Sequence, residues 1–147
     1  MILAYVPRLW ENDDMTKSSS LHPYEDLLTR PLLAVLATSM PDGSPQTTPL
    51  WFDFDGEFIR INSAKGRTKD RNIRLDPRVA LAIVDDANPY RYVQIRGRVV
   101  EIIEGDVARE HIDQLSRRYT GQNWELMHPH EVRVMYLIRP EHVSGLG

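Results

Sequence analysis

The chain has 147 residues, with 18 Lys and Arg against 21 Asp and Glu, a formal net charge of −3. That length suits one domain with a sizeable core, and the acidic balance argues against a general nucleic-acid binder. The absence of cysteine excludes disulfides, thiolate catalysis, iron–sulfur clusters and Cys-bound zinc, and no apolar run approaches the roughly 20 residues that span a bilayer.

In chain order, residues 1–14 read as an upstream extension or flexible arm, because Met15 begins a more natural segment. The extension lacks a basic n-region and a long apolar stretch, so it is not read as a signal peptide, and a cytoplasmic protein is expected. Residues 1–19 are set apart from a single folded domain over residues 20–147. A helix is expected over residues 21–29, capped by Ser20, with Glu25 and Asp26 in its early turns and Pro31 at its end.

The pattern then changes. Residues 32–38 form a nearly continuous apolar run, read as a strand buried on both faces. Pro41-Asp42-Gly43-Ser44 is a turn, residues 46–54 a second strand, and Asp55-Gly56 a hairpin signal before a third strand at 57–63. A strongly basic segment follows. Residues 79–85 form the next strand, Asn88-Pro89 a turn, and residues 90–104 a long strand bent or bulged at Gly97. A helix runs from Gly105-Asp106 to about Tyr119, with Val107, His111, Ile112 and Leu115 on one side, and residues 132–138 are the last strand. Hairpins and short links without regular strand–helix alternation predict a mainly β protein, an antiparallel barrel with peripheral helices.

Familiar catalytic motifs are missing. There is no GxGxxG, Walker loop, GxSxG or HExxH. His128-Pro129-His130 is the only close histidine pair and has no third ligand at suitable spacing, so no metal is expected. Asp53-Phe54-Asp55-Gly56 echoes a calcium loop but lacks its later acids and reads as a hairpin.

The chemistry concentrates in residues 63–79, SAKGRTKDRNIRLDPRV, which hold six of the 18 basic residues (Lys65, Arg67, Lys69, Arg71, Arg74, Arg78) and two acids, Asp70 and Asp76. Pro77 limits a helix to residues 67–75, and the Arg spacing would place Arg67, Arg71, Arg74 and Arg78 on one face. One reading is a solvated helix face. Against it, like charges at i, i+4 repel by about 0.2–0.5 kcal/mol a pair. Asn62, Ser63, a glycine and Thr68 also gather where a strand feeds a helix N-terminus, as in phosphate sites. The second reading is an anionic ligand with at least one phosphate at that junction.

Three segments together carry a family resemblance: LATSMPDGSPQTTPLWF at 36–52, KGRTKDRNIRLDPRV at 65–79 and PEHVSGL at 140–146. From Leu32 to Gly147 the chain resembles the pyridoxamine 5′-phosphate oxidase-like superfamily, whose fold is the FMN-binding split β-barrel, and more narrowly its coenzyme F420 (deazaflavin)-dependent branch. The resemblance implies a homodimer with two cofactor sites at the interface, no nucleic acid and no membrane. It implies that Gln46, Thr48 and Pro49 line the ring and ribityl chain, that Asn62 and Ser63 contact the chain or phosphate, and that Arg67, Thr68 and Lys69 hold the phosphate. Tyr90 would pack near the ring from the other side of the dimer, and Lys65, Arg71 and Arg74 would meet an anionic tail. Thr48 and Pro49 also read as plain strand residues, and Tyr90 as a core or interface aromatic.

The superfamily's vitamin B6 oxidases carry a C-terminal substrate segment with Trp and Arg that has no counterpart before Gly147, so that activity is not expected. FMN and F420 share a ring and a ribityl phosphate. F420 adds a lactyl–oligoglutamate tail, which the surplus of basic residues fits, so F420 is favoured and FMN is the alternative. The implied function is hydride transfer between reduced deazaflavin and an electrophilic enone, quinone or tetrapyrrole. A non-catalytic cofactor- or haem-binding barrel is the other class. No side chain is singled out as catalytic.

Overall fold

The computed structural model describes residues 18–125 and 130–147. The expectations about residues 1–14 and about His128 and Pro129 fall outside that range, as does the Ser20 side chain. The strands are β1 (Ala34–Ser39), β2 (Pro45–Leu50), β3 (Phe52–Phe54), β4 (Ile59–Ala64), β5 (Arg78–Val84), β6 (Tyr92–Glu104) and β7 (Arg133–Leu146). The helices are α1 (Glu25–Thr29), α2 (Thr68–Leu75) and α3 (Asp106–Thr120), with a 3-10 segment, Ser18–Tyr24, leading into α1.

All seven strands form one antiparallel sheet in the order β2-β1-β5-β6-β7-β4-β3. The edge strands β2 and β3 are separated in the chain only by Trp51. One extended stretch, residues 45–54, therefore pairs with β1 through its first half and with β4 through its second. The sheet must curl until its edges meet at Trp51, which makes the expected barrel. Among the described residues no helix is long and apolar enough to cross a membrane.

The barrel interior is filled by alternate residues of each strand. Leu36, Leu81, Ile83, Ile95, Ile61 and Tyr136 are all fully enclosed. The expectation of burial on both faces does not hold for residues 32–38. Ala34, Leu36 and Thr38 point inward, while Val35 is 41% exposed. In one chain only the inner barrel wall is dry, so the outer face of β1 and β5 presents Val35, Ala37, Ala80, Ala82 and Val84 toward solvent.

Three further differences have local causes. The single helix expected at 21–29 is a 3-10 segment followed by α1, because Pro23 inside the first segment has no N–H for an α-helical bond. Arg78 lies in β5 rather than on the helix face of α2. β7 continues well past Ile138, through Pro140 to Leu146. Pro140 is tolerated because it pairs with Gly97 at a register shift in β6. The bulge at Gly97 was expected from the sequence, and it leaves no room for a side chain: a Cβ there would lie 2.2 Å from the Arg139 carbonyl oxygen.

Candidate functional site

The site is built where β4 runs into α2. Gly66 turns the chain at φ 91°, and Arg67 is the N-cap of α2 in extended conformation, without a side-chain cap bond. The cap function passes to Asp70 in the first turn. Its buried carboxylate accepts from the Gly66 backbone N–H (2.9 Å), Arg74 Nε (3.0 Å) and the Tyr136 hydroxyl (2.6 Å). Burial alone would raise the Asp70 carboxyl, but these donors outweigh it and hold it below its ordinary value. Tyr136 is pushed up in turn, by burial first and then by that carboxylate. Asp70 thus fixes the turn that aims Arg67 and Lys69.

A second buried chain fixes the facing strand. Asn72 Nδ2 donates to Thr38 Oγ1 (3.1 Å), and Thr38 Oγ1 donates to Gln46 Oε1 (3.1 Å). With its oxygen engaged, Gln46 keeps its amide N–H groups for the cavity it lines.

Three cations converge in front of α2. Arg133 is buried at 6% exposure on β7, and its guanidinium lies 5.2 Å from the Trp124 ring centroid. Arg133 Nη1 donates to Glu131 (2.6 Å), which also pairs with Arg67 Nη2 (3.4 Å). Among the described residues Lys69 has no hydrogen-bond or ion-pair partner. Burial, then the charges of Arg67 and Arg133, lower its affinity for a proton. Burial likewise lowers Arg133 despite Glu131. Three positive groups against one carboxylate is an arrangement that a bound anion relieves.

Two cavities meet at this cluster, and both are lined by Arg67 and Lys69. One, of about 300 Å³, has walls of Leu33, Pro49, Trp51, Trp124 and Leu115, with Asn62, Ser63 and Arg133 on its polar side. The other, of about 340 Å³, is polar and is lined by Gln46, Thr48, Gly66, Thr68 and Arg71. Ser63 Oγ beside the first lobe, Thr48 Oγ1 beside the second and Trp124 Nε1 are buried and have no hydrogen-bond partner among the described residues. Orphaned hydroxyls flanking the unpaired Lys69 and the under-neutralised Arg67 are complementary to phosphate oxygens.

The structure therefore brings together Gln46, Thr48, Pro49, Asn62, Ser63, Arg67, Thr68 and Lys69, all named from sequence. Asn62 lines the cavity, but its side chain is occupied by Ala108, His111 and Arg133. Tyr90 lies in neither lobe. It is 80% exposed, on a loop anchored by Arg91, which bonds to Asp26, Asp85 and the Pro23 carbonyl. The basic surplus is smaller than its count suggests. Lys65 and Arg74 both pair with Glu104, and Arg78 pairs with Asp76, which falls to about 2 through that bond. Only Arg71 of the proposed tail contacts reaches the cavity without a partner among the described residues. Sequence reasoning missed Arg133, Trp51 and Trp124. A lone arginine in the apolar strand VRVMYLI was the available signal for the first.

Residues 22–147 match the pyridoxamine 5′-phosphate oxidase family, and the chain belongs to that family. Among solved structures it is similar to an F420 reductase, with 39% identity and a TM-score of 0.73 over 82% of this chain and 94% of that one. It is also similar to a conserved hypothetical protein from Mycobacterium tuberculosis, with 26% identity and a TM-score of 0.66 over 91% of this chain and 86% of the other. A protein of unknown function from Agrobacterium tumefaciens, 22% identical, shares the fold at a TM-score of 0.70, over 100% of this chain and 60% of its own.

Proposed function

We propose that the protein is an oxidoreductase that binds coenzyme F420 and delivers a hydride from the reduced deazaflavin to an electrophilic small molecule of the enone, quinone or tetrapyrrole type. Family membership and the likeness to an F420 reductase support the coarser statement, an oxidoreductase with a flavin or deazaflavin cofactor. One observation favours F420 over FMN: the cationic cluster lies between two lobes rather than at the closed end of one. A terminal phosphate monoester, as in FMN, needs space on one side only. A phosphodiester, as in F420, needs it on both.

The lobes divide the ligand by chemistry. The aromatic lobe suits the flat ring, with Trp51 and Trp124 as walls and Pro49 at its edge. Arg67 and Lys69 suit the phosphodiester, with Ser63 and Thr48 hydroxyls as additional donors. Gln46, Thr68 and Arg71 then face the anionic tail, so Gln46 and Thr48 move from the ring to the phosphate end of the site.

When bound, the deazaflavin supplies the hydride chemistry. The chain's own residues neutralise the ligand's charge, hold its orientation and keep water from the ring with apolar walls. The outer apolar face of β1 and β5 supports a homodimer. Leu33 is 56% exposed at the lip of the aromatic lobe, so that face and the lobe are continuous. A partner seated there would close the lobe, and its own Tyr90 loop would have access to the ring.

The test is Arg67→Ala combined with Lys69→Ala. Removing two charge-assisted bonds, each worth about 1.5–3 kcal/mol, should weaken F420 binding by about 10²–10⁴-fold. Unchanged affinity contradicts the phosphate assignment. Reduced F420 mixed with enones and quinones should reoxidise faster with the wild-type protein than without it. No acceleration across the panel would indicate a carrier.

A further inference from the structure

A buried polar chain leads away from the cavity wall. Arg133 Nε donates to Asn62 Oδ1 at 2.9 Å, and Asn62 Nδ2 donates to the Ala108 carbonyl at 2.9 Å. The same Nδ2 lies 3.1 Å from His111 Nδ1, and His111 Nε2 lies 3.3 Å from Asp53 Oδ1. Asp53 closes the chain with a two-point pair to Arg60, at 2.7 and 2.8 Å. His111 is 2% exposed and Asn62 8%.

Donor and acceptor counting fixes every group. Arg133 can only donate, so it takes the Asn62 oxygen. The Ala108 carbonyl can only accept, so it takes the Asn62 nitrogen. His111 Nδ1 therefore meets an N–H and must be the acceptor, which places the imidazole proton on Nε2, toward Asp53. In this arrangement His111 is neutral. A second proton, on Nδ1, would face the Asn62 N–H group at 3.1 Å, donor against donor. An Asn62 flip that presents its oxygen to that proton breaks its bonds to Arg133 and to the Ala108 carbonyl and turns an N–H group toward the Arg133 donor.

We propose that His111 is a positioning residue for the anion site: neutral, it locks Asn62 and through it Arg133 in the cavity wall, and a protonated ring releases that lock and weakens ligand binding. This rests on Arg133 facing the bound anion. Charged and titratable groups reach the imidazole from several elements. Asp53 on β3 favours the imidazolium, but Arg60 on β4 occupies both of its oxygens. Arg133 on β7, through Asn62, opposes a further positive charge. Tyr119 on α3 lies within the field of Asp53. Burial would raise the Asp53 carboxyl, but the bonds from His111 and Arg60 hold it down, so Asp53 stays ionised throughout the range where histidine titrates.

The sign follows from linkage. Ligand binding favours neutral His111, so acid that protonates the ring weakens binding. The informative variant is His111→Gln, whose amide can accept from Asn62 and donate to Asp53 but does not titrate. Two measurements decide the proposal. In the first, nitrogen-15 NMR of the ligand-free protein is followed from about pH 8 to about pH 5.5, the range of histidine titration. The Asn62 side-chain amide and Arg133 Nε–H signals should move with the same midpoint as the His111 ring. Stationary Asn62 and Arg133 signals, or a His111 that stays neutral over the range, overturn the proposal. In the second, F420 and FMN are titrated into wild type and His111→Gln at both ends of that range. Wild type should lose about tenfold more affinity than the variant, the scale of one hydrogen bond to a charged group. Equal losses overturn it. If neither cofactor binds wild type at any pH, the functional reading fails while the NMR arm still decides the relay.

Discussion

Asp70 shows how a single residue organises the site. In the sequence it is one of two acids that dilute a basic run. In the fold its carboxylate is the buried clasp between the Gly66 turn, Arg74 and Tyr136. Asp70→Asn removes the charge from three donors at once and should cost about 2–4 kcal/mol in a urea titration. A loss below about 0.5 kcal/mol contradicts the clasp. The pH dependence carries the same sign. Burial would raise this carboxyl, yet its donors leave it below 3.8, and Asp53 is lowered in the same way. Their contribution is complete above the ordinary carboxylate value and is lost as pH falls through their depressed values. Wild-type stability should therefore drop steeply below about pH 4, and Asp70→Asn should flatten that drop. At this scale the sequence is half legible. The basic cluster and its anion chemistry are visible because the residues are neighbours. That Lys65 and Arg74 belong to Glu104, and that Arg133 joins Arg67 and Lys69, depends on strand pairing and cannot be seen locally.

Elements were legible where local chemistry dictates them. The Asp55-Gly56 hairpin, the helix bounded by Pro77 and the bulge at Gly97 all follow from residue types whose backbone preferences are strong. The elements misread are those in which tertiary pairing overrides a local signal. The last strand was expected over residues 132–138, but β7 runs on to Leu146 because Pro140 sits opposite the bulge. The apolar run over residues 32–38 suggested two buried faces, but one of them is outside the barrel wall. The bulge supplies a prediction at this scale. Gly97→Ala places a methyl against the Arg139 carbonyl and should cost about 1–3 kcal/mol, read as a lower Tm. No change in Tm would mean that the β6–β7 register is looser than described.

For the whole molecule, the exposed face of β1 and β5 is the feature that one chain leaves unexplained. Val35 and Ala82 are cross-strand neighbours at its centre. If a second copy covers this face and closes the aromatic lobe, Val35→Glu should give a folded monomer by sedimentation with unchanged circular dichroism and much weaker cofactor binding. A wild type that sediments as a monomer at micromolar concentration contradicts the dimer. Barrel topology was readable from the order of hairpins and helices. The two-lobed cavity was not, because it forms only where β2, β4, α2, α3 and β7 converge.

The central claim is that the cationic cluster grips a phosphodiester with space on either side. Calorimetric titration of the purified protein with F420 and, separately, FMN tests it most directly. F420 should bind at micromolar or tighter affinity and FMN at least about tenfold more weakly, the scale of one lost hydrogen bond to a charged group. Tight FMN binding with no measurable F420 binding would contradict it.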